Sequence, residues 1–187
     1  MLKRYLPLLV MLMVSGPAAA VNGLDLNVND KAARIALHFD LSNNLVVDTS
    51  WLYHQDKGNV VGAGLHLTGA ATGGRNPLQA GLGGRLVVAS SSVGAEDDGA
   101  ALPIGGFVNY TLPDYDRFMV GGSVYYAPDV LSFGDMTKYR EYNAWAGYSV
   151  LRQGQIYLGL RGIKGDFKDS PSVSFDTGVH FGVRLRF

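Results

Sequence analysis

Val173-Ser-Phe-Asp-Thr-Gly-Val-His-Phe-Gly-Val-Arg-Leu-Arg-Phe187 ends the chain, and its reading decides the fold. Val173, Phe175, Val179, Phe181, Val183, Leu185 and Phe187 fall on one parity, with Thr177 the one hydroxyl among them. Ser174, Asp176, Gly178, His180, Gly182, Arg184 and Arg186 fall on the other. Strand side chains alternate between faces, so the segment has an apolar face and a charged one. It outruns the usual globular strand of about 3–10 residues, whereas a tilted strand crossing a bilayer needs about 9–11 residues in the hydrocarbon and a few more at its edges. Phe175 and Phe187 would stand roughly 30 Å apart in height at about 40° of tilt, the separation of two interfacial aromatic girdles. The expectation is an all-β protein, an antiparallel transmembrane β-barrel whose last strand ends at the periplasmic rim.

The start of the chain supplies an address. Lys3 and Arg4 precede an apolar run from Leu6 to Val14, and Ala18-Ala19-Ala20 offers small residues for cleavage after Ala20. The run is far shorter than the ~20 residues of a spanning helix. Residues 1–20 therefore read as a signal peptide and 21–187 as one barrel in the outer membrane. The chain has no cysteine, so neither a lipoprotein anchor nor disulfides are open to it. A closed barrel satisfies its backbone internally and is stable without them. Losing Lys3 and Arg4 from 16 basic residues leaves 14 against 16 acidic ones, a weakly acidic chain unlike a nucleic-acid binder.

Alternating segments recur along the whole mature chain. Ile35, Leu37, Phe39 and Leu41 oppose Arg34, Ala36, His38 and Asp40; Val47, Thr49, Trp51 and Tyr53 oppose Asp48 and Ser50. Val61, Ala63, Leu65 and Leu67 oppose Gly62, Gly64 and His66, and Leu82, Leu86 and Val88 oppose Arg85 and Val87. Over Tyr139–Val150 the faces conflict, because Tyr142, Ala144, Ala146 and Tyr148 compete with Trp145 for the lipid side. Ser90–Gly99 reads as an exposed acidic loop, and the next strand starts near Leu102. The count is ten strands, or eight if the first is unpaired or the fourth and fifth are misread. An even count puts both termini on one side. A soluble sandwich or lipocalin-like barrel would turn the same apolar residues inward, and alternation cannot distinguish the two. The leader and the terminal aromatic choose the membrane.

Gly121-Gly-Ser-Val-Tyr-Tyr-Ala-Pro-Asp-Val-Leu-Ser-Phe-Gly-Asp135, together with Tyr148-Ser-Val-Leu151, Tyr157-Leu-Gly-Leu-Arg161 and His180–Phe187, resembles the YfaZ-type outer-membrane proteins of Gram-negative bacteria. The resemblance implies an outer-membrane barrel and brings no catalytic residues with it. The ending Phe181, Val183, Leu185 and Phe187 is also similar to the signal that barrel-assembly machinery reads in its substrates. Expected partners are therefore that machinery during biogenesis, outer-membrane lipid and lipopolysaccharide, with the barrel a monomer.

The polar parity carries charges of both signs. Arg34, Arg85, Arg161, Arg184 and Arg186 share it with Asp25, Asp40, Asp48, Glu141, Asp176 and His180. Folded inward, they would form a lumen charge network, with Arg161 opposite or diagonal to Asp176 and Tyr157 near His180. A lumen of this size is just wide enough for side chains or a thin channel, so the expected role is structural or narrow-conductance. His38, His66 and His180 with Ser50, Ser123, Ser149 or Ser174 keep a lipid-modifying hydrolase as an alternative, although no spacing enforces contact. Outer loops could instead make a recognition or adhesion barrel. Scattered histidines give no metal-ligand spacing, and no cofactor is implied.

Overall fold

A computed structural model describes residues 21–70, 78–93, 98–168 and 172–187. The signal peptide read over 1–20 and most of the connection at 69–77 lie outside the described residues. The strands are β1 (Gly23–Val28), β2 (Ala32–Ser42), β3 (Leu45–His54), β4 (Gly58–Ala70), β5 (Leu78–Ser91), β6 (Asp98–Ala101), β7 (Ile104–Leu112), β8 (Tyr115–Ala127), β9 (Ser132–Gly134), β10 (Met136–Leu151), β11 (Gly154–Phe167) and β12 (Val173–Arg186). Every pairing is antiparallel. Pairing of β1 with both β2 and β12 closes the sheet.

The closed wall has ten staves, because β6 and β7 are two halves of one. Against β5, β7 pairs over Leu78–Gly84 and β6 over Val87–Ser90. The break falls at Leu102-Pro103, where proline has no N–H to give the ladder. Pro103 still accepts from the Arg85 amide at 2.9 Å, and the Leu102 amide turns to the Leu131 carbonyl at 2.8 Å. Asp98 and Gly99, expected in a loop, are thus wall together with Ala100 and Ala101, and Ser132–Gly134 of the following connection pairs with this segment. Ala101 is fully buried, so these small residues pack rather than dangle.

The outside of the cylinder is apolar. Leu67 is 68% exposed, Leu82 74%, Ile104 64% and Val124 64%, which only a hydrocarbon surround makes favourable over the whole perimeter. Aromatics cluster at both edges: Trp51, Tyr53, Tyr126 and Phe133 at one end, and Tyr110, Tyr115, Phe118 and Phe187 at the end that carries the termini. The latter is the periplasmic end of the sequence reading; the opposite end is called outer below. Phe118 and Tyr126 on β8 are separated by roughly 20 Å of height at the usual rise and tilt, close to the apolar band of such barrels. Lys31 and Asp56 clip two outer turns together at 2.9 Å, and the ammonium holds the Asp56 carboxyl below its usual range.

One sequence expectation fails on this wall and one open contest is settled. Val173 and Phe175 do not face lipid: Phe175 is wholly buried inside, edge-on to Phe167 with centroids 6.3 Å apart. Ile163 pairs with Asp176 but Lys164 pairs with Ser174, so Phe175 is the extra residue of a bulge. A bulge resets the parity of the strand, and Val173, Phe175 and Asp176 all point inward. Hydroxyls stitch the kink, with Ser174 Oγ and Thr177 Oγ1 2.6 Å apart, and Gly178 follows it at φ +142°. The aromatic spacing that suggested two girdles on β12 was therefore a coincidence of numbering. The contest on β10 ends with Trp145 inside, because its indole occupies the space that a side chain at Gly121 would fill.

Candidate functional site

The lumen is layered rather than uniformly charged. Its outer half is an apolar plug of Leu52, Val60, Val87, Tyr139, Ile163, Phe167 and Phe175, closed by Ala89, Ala101 and Ala127. Except for Phe175, which the bulge turns inward, each comes from the inward parity of its strand near the outer end, where alternation continues but the inward residue is aliphatic or aromatic instead of charged. Below the plug lies a belt of polar side chains, and below that a cavity of about 330 Å³. Asn22, Asp40 and Arg186 border this cavity at the periplasmic end, and Asp48, Glu141 and Arg161 border it at mid-height.

The belt consists of two networks. In the first, Glu141 on β10 accepts from Arg85 Nη1 on β5 at 3.1 Å, lies 3.4 Å from Arg34 Nη1 on β2, and accepts from the Tyr139 hydroxyl at 3.0 Å. Arg85 also meets Asp48 on β3 at 3.3 Å and lies over the Tyr125 ring at 4.0 Å. His66 on β4 stands between Asp48, 3.0 Å from Nδ1, and the Tyr125 hydroxyl, 2.8 Å from Nε2. A carboxylate only accepts, so Nδ1 donates its proton to Asp48, while Nε2 and the Tyr125 hydroxyl share the second hydrogen bond. The contacts of Arg34 and Arg85, and that of His66 with Tyr125, cross the lumen and tie non-adjacent staves to one another.

The second network centres on β1. Asp25 accepts from the Tyr157 hydroxyl at 2.6 Å, Asn27 Nδ2 at 2.9 Å and Arg184 Nε at 2.9 Å. Arg161 gives Nη1 to the Asn27 carbonyl oxygen and Nε to Asp176 at 2.6 Å, and Asp176 also accepts from Asn29 at 2.7 Å. Arg184 sits 4.6 Å above the Trp145 ring. Arg161 and Asp176 are almost wholly buried, so each would be costly alone, and their mutual pairing offsets that desolvation.

The candidate residues therefore divide. Arg34, Asp48 and Arg85 join the first network, and Arg161, Asp176 and Arg184 the second. Arg161 is diagonal to Asp176, since it pairs with Gly178 across the ladder. His180 is buried edge-on to Tyr157 at 5.8 Å, and neither ring nitrogen has a hydrogen-bond partner among the described residues. Asp40 is exposed at the cavity mouth and forms no ion pair within 4.0 Å among the described residues. Phe181, Val183, Leu185 and Phe187 lie on the lipid side, and the Phe187 amide closes onto the Asn22 carbonyl at 3.0 Å. Parity also carried Asn27, Tyr125 and Tyr139 inward, but nothing in the sequence says that their polar tips complete these networks. Among the described residues no serine hydroxyl is hydrogen-bonded to a histidine, and no three potential metal-ligating residues are grouped.

A family model described as YfaZ precursor matches residues 3–187. The "Outer membrane protein YfaZ" of Escherichia coli (strain K12) is 32% identical over 181 residues, covering 95% of this chain and 94% of the relative. Among solved structures, the KdgM porin aligns over 90% of this chain and 99% of its own at 12% identity, TM-score 0.48. The DcaP channel of Acinetobacter baumannii aligns over 87% and 54% at 12% identity, TM-score 0.45.

Proposed function

The chain belongs to the YfaZ family of outer-membrane proteins, and from its lumen we propose that this integral barrel serves as a closed scaffold in that membrane rather than an open pore. The observation that carries the proposal is the apolar plug, in which Phe175, Ala89 and Ala101 have no exposed surface. A hydrated ion or solute crossing it would shed water with nothing to replace the lost hydrogen bonds. The belt beneath adds ion pairs that must separate before anything passes.

Planar-bilayer recording tests this. Purified wild-type protein should give no discrete openings, whereas thinning the plug with Leu52→Ala and Phe175→Ala together should create them. Regular openings in the wild type would overturn the scaffold reading. They would favour a narrow-conductance barrel, which one observation supports: the charged cavity already reaches from the periplasmic mouth to mid-lumen, half of a path.

A further inference from the structure

The outer wall carries a concavity that the lumen does not explain. It measures about 540 Å³ and lies where β4, β5 and the β6–β7 break meet. Leu65 and Ile104 flank Gly84, their ladder partner on either side, and Leu86 and Leu102 stand above it. Gly84 faces lipid, so the missing side chain forms the floor of the slot. Leu131, brought down by the hydrogen bond from the Leu102 amide to its carbonyl, closes one side. Arg85 borders the slot, but its guanidinium turns into the lumen onto Asp48 and Glu141.

We propose that this slot holds an acyl chain of the surrounding membrane lipid. Three observations select that occupant. The slot is continuous with the lipid-facing band, since Leu65, Leu86 and Ile104 are also exposed members of it. Its side chains are aliphatic, so water entering would find no partner. Its shape supplies what bulk lipid does not: a tail in fluid hydrocarbon has the packing of a liquid, while a tail lying on Gly84 between leucines gains the denser contacts of a protein interior. Leu131 extends the consequence inward, because it also packs against the apolar plug. An occupied slot thus braces the wall where Pro103 interrupts its ladder.

Native mass spectrometry of barrels released from palmitoyl-oleoyl phosphatidylglycerol nanodiscs tests this. The wild type should retain a phospholipid adduct that Gly84→Leu loses severalfold, while Ala146→Leu elsewhere on the lipid face retains it. The leucine is accommodated, because a Cβ at Gly84 meets only the Pro103 carbonyl, at 3.8 Å. Heat-modifiable migration checks folding of each variant, so loss of the slot is separable from loss of the barrel, and Ala63→Leu replaces Gly84→Leu if the latter fails to fold. Equal adducts in all variants, or a bare wild type, would overturn the proposal.

Discussion

Glu141 is the carboxylate on which the first network turns, and Glu141→Ala is the perturbation that tests it most sharply. The side chain is 4% exposed and receives Arg85 at 3.1 Å, Arg34 at 3.4 Å and Tyr139 at 3.0 Å. Without it, Arg85 keeps Asp48, but Arg34 has no other anion within 4.0 Å among the described residues. Breaking a buried pair by removing one partner costs about 3–5 kcal/mol, and an orphaned buried hydroxyl on Tyr139 costs about 1–3 kcal/mol on its own. Arg34 borders the cavity, where water can reach it, which pulls the total to about 3–4 kcal/mol. Guanidinium unfolding of the barrel in phospholipid vesicles, followed by gel migration and tryptophan fluorescence, measures the loss. Arg34→Met with Glu141→Gln removes one charge of each sign and should recover at least half of it. A Glu141→Ala barrel within about 1 kcal/mol of wild type, or a double variant no better than Glu141→Gln alone, would refute the view that this carboxylate braces three staves.

Phe175→Ala should lower stability by about 3–5 kcal/mol in the same assay, as for a fully packed core aromatic, whereas Phe181→Ala on the lipid face should cost clearly less; equal effects would restore Phe175 to the outside. Neighbouring glycines should behave oppositely: a Cβ at Gly83 would stand 2.1 Å from the Leu65 carbonyl, so Gly83→Ala should destabilise, while Gly84→Ala should refold like wild type. Replacing Phe187 with Ser should reduce the folded, heat-modifiable fraction in cell envelopes while leaving stability in vesicles nearly unchanged, because the side chain is 69% exposed. Full assembly of that variant in cells would argue against a terminal recognition signal.

The ten-stave count was legible because period-two alternation holds in nearly every stave and the ends identify the surround. Legibility failed where the period slips. Phe175 sits at a bulge, and one inserted residue exchanges the faces of everything before it without changing composition. Asp98 and Gly99 looked like the end of a loop because the stretch is small and acidic, yet the missing side chain of Gly99 is what lets β6 lie against Met136. The charges of the belt were foreseen by parity, and Arg161 with Asp176 by proximity in the last hairpin. Glu141 as a hub was not, because Arg34, Arg85 and Glu141 meet across the lumen, and such distances depend on barrel curvature rather than on spacing along the chain. Asp40 shares the inward parity but stands at the mouth, where water replaces a partner.

The second network has a consequence for how the cylinder is shut. β1 is by far the shortest of the staves that flank the closing line, and its ladders to β2 and β12 run only over Gly23–Val28. Most bonds of that network join this segment, or Asn29 just beyond it, to β11 or β12: Tyr157 and Arg184 to Asp25, Arg161 to Asn27, Asn29 to Asp176. What looks like filling is also a clasp across the short seam of Gly23–Val28. A slip of one residue along this seam would point Asp25 and Asn27 into hydrocarbon, leave Arg184 without its anion and take from Arg161 its contact with Asn27. The buried charges thereby proofread the register in which the chain's two ends meet.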